Sequence, residues 1–466
     1  MKARIKFLGG AHTVTGSKYL LEIDEFRLLV DCGLFQGLKP LRLMNWDEFP
    51  VDPSTIDAVI LTHAHIDHTG YVPKLVKEGF KGSIYCTEAT SSLLEIMLID
   101  SAKLQEEEAE WAEKKGYSKH DNPKALYTTK DAQLALTLLS SCEYETPISL
   151  SKQLSFSFFN AGHILGSAIV QVTLIGESQN KVITFSGDLG PENHPLLSPP
   201  VKLKETDILL VESTYGDRDK EDHDILNELK NVVIESIEND GCLLIPAFAV
   251  GRTQALMYYL QKLVASNQIP PIPIYIDSPM AINATSVYKR NAKYHTIDLE
   301  AGSGISFLNF PELHYYQNQE ASVSLNNLKK NAIIISASGM CTGGRILHHL
   351  YNRLSNKNDI VLFVGYQAEG TRGRNILEGD KSIRIFGIEV PVKCHVRTIE
   401  GLSAHADRTE LLSWVSNFET PPKMTFIVHG EFESATAFSK SIKKEFGWNN
   451  VYIPDYLESY ELFDGI

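Results

Sequence analysis

The hydrophobic pattern of this chain is a series of short apolar runs, each stopping abruptly at glycine, histidine, serine or aspartate. DAVILTHAHIDH (57–68), KVITFSGD (181–188), DILLVEST (207–214) and CLLIPAFAVGR (242–252) are of this kind. PIYIDSPM (273–280), NAIIISASGM (331–340), DIVLFVGYQ (359–367) and KMTFIVHGE (423–431) continue the series. Such runs predict strands, and several are followed by helical spacing, as in QALMYYLQKL (254–263) and TELLSWVSNF (409–418). Strands alternating with helices predict an α/β fold whose function sits at strand ends. Before residue 60 the pattern differs: RIKFLGG and SKYLLEIDEFRLLVDCG predict a strand and a hairpin, so the fold opens with antiparallel strands. Residues 100–145, centred on QEEEAEWAEKK, are charge-dense and predict a solvated helical excursion or lid.

Composition narrows the class. A chain of 466 residues has room for two or three domains, or for a composite two-domain enzyme. Hydrophobic residues at 43% and charged residues at 22% describe an ordinary soluble protein. The six cysteines form no CxxC pair and read as reduced core thiols of a cytoplasmic protein. Residues 1–21 lack a secretory apolar region, and no run approaches the length of a membrane span. The net charge of −14 weighs against a partner as acidic as nucleic acid, unless a local basic lining receives it.

The sharpest chemistry is His63-Ala-His65-Ile-Asp67-His68, at the end of the run DAVILT. A loop there can turn His63 and His65 toward one metal, and Asp67 and His68 toward a second. More ligands are needed, and each candidate ends a strand-like run beside small residues: His163 in NAGHILGSA, Asp188 in SGDLG and His429 in VHGE. Together these are five histidines and two aspartates, one of them free to bridge, which is the composition of a two-metal site. SASGMCTGGRI (336–346) joins an apolar run to a helical one and predicts a phosphate cradle, with Ser338, Gly339 and Arg345 as contacts. Arg372 and Arg374 in GTRGR are further candidates for phosphate, whereas Arg252 reads as structural.

HxHxDH followed by a glycine-flanked histidine and an SGD resembles the metallo-β-lactamase fold. VESTYG (211–216), PAFAVGRTQ (246–254), SASGM (336–340), GYQAEGTRGR (365–374), GLSAHAD (401–407) and VHGE (428–431) resemble its β-CASP branch of nucleases. That branch includes the pre-mRNA 3′-end-cleaving endonuclease and RNase J, and the likeness runs from GGAHTVTGS (9–17) nearly to the C-terminus.

The resemblance implies an αββα sandwich from residues 1–206 and 394–466, an inserted β-CASP domain at 207–393, and an active site in the cleft between them. It implies that His63, His65 and His163 hold one Zn²⁺, that Asp67, His68 and His429 hold a second, and that Asp188 bridges them. Asp31 would steady a ligand histidine from behind. Glu212 and His405 match the family's acidic and histidine signatures, with His405 donating a proton to the leaving oxygen and Glu212 orienting it. Asp67 and Asp188 would hold the attacking water. The implied activity is two-zinc hydrolysis of single-stranded RNA, endonucleolytic, leaving 5′-phosphate and 3′-hydroxyl ends, with no membrane and with a homodimer allowed for. The alternatives are a DNA-processing β-CASP nuclease, against which His429 argues because the DNA-repair relatives typically lack it, and a small-molecule hydrolase of thioesters or lactams. A third is a metal-dead RNA-binding scaffold, against which every ligand position is filled.

Overall fold

The computed structural model describes residues 1–115, 124–177, 179–219, 224–296, 306–368 and 370–465. Residues 116–123 of the expected helical excursion, and Glu369 of GYQAEGTRGR, lie outside the described residues. The chain divides into two compact units, one of Met1–Asp219 with His405–Ile466, the other of Lys220–Ala404.

The first unit is built on two seven-stranded sheets. In one, the C-terminal strand Ser459–Asp464 lies beside Lys2–Gly9, followed by Lys18–Ile23, Phe26–Val30, Ala58–Ile60, Ser83–Thr87 and Leu139–Cys142. The opening strands pair antiparallel, as their hairpin pattern predicts, and pairing turns parallel from Phe26–Val30 onward. The other sheet runs Val451–Tyr452, Met424–Val428, Ile208–Glu212, Lys181–Phe185, Ala168–Leu174, Leu154–Asn160 and Ile148–Ser151.

Successive residues of a strand face opposite ways, and that alternation builds the layers. Ile208 and Leu210 join Ile5, Phe7, Phe156 and Phe426 in the core between the sheets. Leu209 and Val211, on the other face of the same strand, pack under helices Arg408–Val415 and Phe432–Phe446 through Leu411, Trp414 and Phe438. Helix Glu88–Lys115 packs on the outside of the first sheet and against Thr129–Leu136. The unit is thus an αββα sandwich.

The second unit has a six-stranded parallel sheet in the order Leu313–Tyr315, Ile274–Ile276, Ala332–Ser336, Cys242–Pro246, Ile360–Phe363, His395–Thr398, with a small hairpin at Ser382–Ile385 and Ile388–Pro391. Its core gathers Leu244, Ile334, Val361 and Phe363 from that sheet with Ile346 and Leu350 from helix Arg345–Arg353.

The compact units begin and end later than the boundaries expected at 206/207 and 393/394. Strand Ile208–Glu212 pairs with Lys181–Phe185 and Met424–Val428, so it belongs to the sandwich. Strand His395–Thr398 pairs with Ile360–Phe363, so it belongs to the second unit. Charge divides along the same line: the first unit carries 26 basic and 40 acidic residues, the second 18 and 18. The net charge of −14 therefore falls on the sandwich, and the second unit is balanced.

Candidate metal centre

Parallel neighbours in a sheet end on the same side, so residues that follow them gather at one edge. Lys181–Phe185, Ile208–Glu212 and Met424–Val428 are adjacent and parallel, and their ends carry Asp188, Glu212 and His429. In the facing sheet, Phe26–Val30 and Ala58–Ile60 are parallel and lead into Asp31 and the His63–His68 segment. His163 lies in the turn between the antiparallel strands Leu154–Asn160 and Ala168–Leu174.

These side chains form two clusters sharing one carboxylate. His63, His65, His163 and Asp188 bring one ligand atom each within 4.8 Å of one another, and Asp67, His68 and His429 do the same. In the first cluster, His65 Nδ1 lies 3.1 Å from both His63 Nε2 and His163 Nε2. Asp188 Oδ2 is 3.5 Å from each of those Nε2 atoms. The other oxygen turns to the second cluster, with Oδ1 3.2 Å from His68 Nε2 and 3.6 Å from His429 Nε2. Asp67 Oδ2 stands 3.9 Å from both of those nitrogens.

The donor set fits a metal. A tetrahedral zinc site with bonds of about 2.0–2.1 Å has ligand–ligand edges of roughly 3.3–3.4 Å, and the distances above scatter around that value. Asp188 Oδ1 and His68 Nε2 are buried with no hydrogen-bond partner, though they face each other. Buried polar atoms are rarely left so, and a cation between them satisfies both.

Ionisation follows the same geometry. Burial, reinforced by neighbouring imidazoles, holds His63 well below the usual histidine range, and burial lowers His65 to about 4. Burial also lowers His429. These rings are neutral, as ligands must be. His68 is the exception: burial opposes its charge, but the carboxylates of Asp188 and Asp31 outweigh it and hold the ring well above the usual range. Asp188, despite burial, is held well below the carboxylate range by His429, His68 and His63. A proton on His68 Nε2 and a cation compete for one lone pair, so metal uptake is expected to release a proton.

Asp31 stands behind both clusters. His68 Nδ1 donates to its Oδ2 at 2.7 Å. Thr62 Oγ1 donates to the same oxygen at 2.9 Å and lies 3.1 Å from His63 Nδ1, which leaves it to accept the imidazole proton. One carboxylate thereby fixes Nε2 as the outward-facing nitrogen of a histidine in each cluster. Asp31 and His429 both have left-handed backbones, φ 60° and 48°, pinned by Asp31 N to Ile60 O and His429 N to Gly10 O. Strain of this kind persists where the surroundings over-determine it.

Close backbone approach completes the mould. Cys32 N donates to His68 O at 2.7 Å, and a Cβ on Gly33 would sit 1.6 Å from Asp67 O. Gly33→Ala is therefore expected to displace the Asp67–His68 turn and weaken metal retention tenfold or more, comparable to the roughly 10–100-fold cost of losing a supporting residue, readable by dialysis against a chelator.

Beside Asp188 lies a separate pair. His405 Nδ1 is 3.1 Å from Glu212 Oε1, and its Nε2 is 3.9 Å from Asp188 Oδ2. Glu212 is fully buried and also accepts from Leu189 N at 2.7 Å and Thr214 N at 3.2 Å, so its carboxylate is fixed before it meets the ring. Burial works against a charge on His405, but Glu212 prevails and raises its pKa.

All seven expected metal ligands, with Asp31, Glu212 and His405, are thus brought together in the first unit. The expected phosphate contacts Ser338, Gly339, Arg345, Arg372 and Arg374 belong to the second unit. Three of them also have protein acceptors. Arg345 donates to Asp277, Tyr316 O and Gln317 O, because Asp277 is a fully buried carboxylate that needs a counter-charge. Arg372 donates to Arg384 O and Thr342 O, and Arg374 pairs with Glu378 one helical turn on. Ser338 binds Thr342 N and Oγ1, and a Cβ on Gly339 would meet the Phe248 ring. Sequence reasoning passed over Thr62 and Ser17, the latter 2.8 Å from His429 Nδ1. Thr62 adjoins His63, a local signal. Ser17 is 412 residues from its partner, and nothing in the sequence joins them.

Histidines and carboxylates at the meeting edges of two sandwiched sheets define a metal-dependent hydrolase of metallo-β-lactamase type. Family models match the chain as the metallo-beta-lactamase superfamily over residues 14–234, the Beta-Casp domain over 253–376 and the Zn-dependent metallo-hydrolase RNA specificity domain over 389–454. The chain is 37% identical over 440 residues to ribonuclease TTHA0252 of Thermus thermophilus, covering 94% of this chain and 95% of that one. It is 32% identical to an RNase J-like protein of Methanocaldococcus jannaschii, covering 97% of each chain. It is 31% identical to transcription termination factor FttA of the same organism, covering 98% of this chain and 71% of that one. A crystal structure of a protein of unknown function from Enterococcus faecalis shares the fold, with TM-score 0.56 and 14% identity, over 99% of this chain and 100% of the other. The chain belongs to the metallo-β-lactamase superfamily, in the branch that carries a Beta-Casp domain.

Proposed function

We propose that this protein is a two-zinc ribonuclease that hydrolyses internal phosphodiester bonds of single-stranded RNA, leaving 5′-phosphate and 3′-hydroxyl ends. The observation that carries the reading is the division of Asp188, one oxygen facing each histidine cluster. RNA is favoured by the RNA specificity domain and by relatives named as ribonucleases. His429 completes the second cluster, and the resemblance, in which the DNA-repair relatives typically lack that histidine, favours RNA over DNA. Six buried free cysteines suit a reducing, cytoplasmic setting, and among the described residues no helix is long and apolar enough to cross a membrane.

His63, His65 and His163 would hold one ion, Asp67, His68 and His429 the other, with Asp188 shared. Two such ions, when bound, would supply a hydroxide nucleophile near neutral pH and offset charge on the phosphoryl oxygens. Asp67 and Asp188 would hold the attacking water. His405, held by Glu212 with Nε2 toward Asp188, gives its proton to the departing sugar oxygen. In this reading Ser338 and Gly339 contact the RNA backbone, and Arg345, Arg372 and Arg374 do so with the N–H groups their protein acceptors leave over.

The test uses single-stranded RNA labelled at either end, a matched DNA, and wild type beside His68→Ala. Internal RNA fragments from wild type, lost on chelation, restored by zinc and absent from the variant, support the proposal. Mononucleotide release would replace endonuclease with exonuclease. Intact RNA beside cleaved DNA would overturn the substrate, and zinc-loaded protein that cuts neither would overturn the nuclease reading.

A further inference from the structure

We infer that Ser17 is the positioning residue of the second metal position, and that its hydroxyl sets how tightly that position alone holds its ion; this rests on the two-metal reading above. Ser17 is fully buried. Its backbone N donates to Asp67 O at 2.9 Å, its carbonyl accepts from Gly33 N at 3.0 Å, and its Oγ lies 2.8 Å from His429 Nδ1. One residue thus joins two of the three groups in the second cluster, Asp67 through its main chain and His429 through its side chain. The third, His68, is held by Asp31 and by Cys32 N.

The hydroxyl has a specific task. For His429 to bind through Nε2, its Nδ1 must carry the proton, and Ser17 Oγ accepts that proton. His429 reaches the cluster from the far end of the chain on a left-handed backbone, so the ring needs an anchor not its own. His63 in the first cluster is anchored by Thr62 instead. Loss of the Ser17 hydroxyl therefore strands Nδ1–H in the interior and frees the ring, while the first cluster keeps its support.

The experiment measures zinc per chain across a chelator-buffered zinc series for wild type, Ser17→Ala, and the equal-volume pair Ser17→Thr and Ser17→Val, with thermal melting of each metal-stripped chain. Two ions in wild type are expected. Ser17→Ala and Ser17→Val should bind one of them roughly 10–100-fold more weakly, leave the other unchanged and melt like wild type when stripped. Ser17→Thr, which keeps the hydroxyl, should retain both. The inference is overturned if Ser17→Ala holds both ions as wild type does, if both ions weaken together, or if Thr and Val behave alike. A wild type that binds one ion overturns the two-metal reading and the inference with it, a result distinct from the other three.

Discussion

Asp188→Ala should remove both ions at once and reduce RNA cleavage by about 10³-fold or more, since metal catalysis supplies several kcal/mol of transition-state stabilisation. Asp188 is the shared group: Oδ2 faces His63 and His163, and Oδ1 faces His68 and His429. Its pKa is held far down by the rings around it, so it meets a cation as a full negative charge. Without it, each cluster is left with three protein groups and nothing joins them. Asp67→Ala is the control, because Asp67 faces only the second cluster and lies on its open side. Metal analysis should find both ions lost in the first variant and one retained in the second. An Asp188→Ala chain that kept two ions would refute the shared-carboxylate geometry. Circular dichroism guards against trivial unfolding, since Asp188 follows its strand and lies outside the apolar core between the sheets.

The second large effect separates chemistry from metal binding. His405→Ala should keep its metals and lose about 10²–10⁴-fold in kcat, the usual worth of a positioned general acid. The pH profile carries the sign. An acid must hold its proton, and Glu212 raises the pKa of His405, so the ring is more protonated near neutrality than a free histidine. The protonated fraction falls as pH rises through that raised value, which gives the rate a descending alkaline limb. Glu212→Gln removes the raising charge and should move that limb to lower pH. His405→Ala should abolish it. Full turnover in His405→Ala would end the general-acid assignment, and an unmoved limb in Glu212→Gln would end the role of the carboxylate.

The elements were legible where the chemistry is local. Apolar runs that stop at polar residues predicted strands Lys181–Phe185, Ile208–Glu212, Cys242–Pro246 and Met424–Val428, and each is present. A strand buried on both faces writes itself as such a run, and its end is marked by residues that leave the sheet. The opening hairpin and helices Arg252–Ala265 and Arg408–Val415 were read in the same way. The membership of Ile208–Glu212 and His395–Thr398 was not, because a strand's sequence does not name its neighbour in a parallel sheet.

The candidate site divides likewise. By itself the sequence determined which residues could hold metal, since histidines and aspartates at strand ends are few and their types limit the chemistry. Only the tertiary structure decided how they are shared: which oxygen of Asp188 faces which cluster, that Asp31 reaches both His68 and, through Thr62, His63, and that Ser17 supports His429. It also decided that Arg345 belongs to Asp277. The reason is physical: a ligand's identity is a property of one residue, whereas a hydrogen bond or a shared charge belongs to two that distant segments bring together.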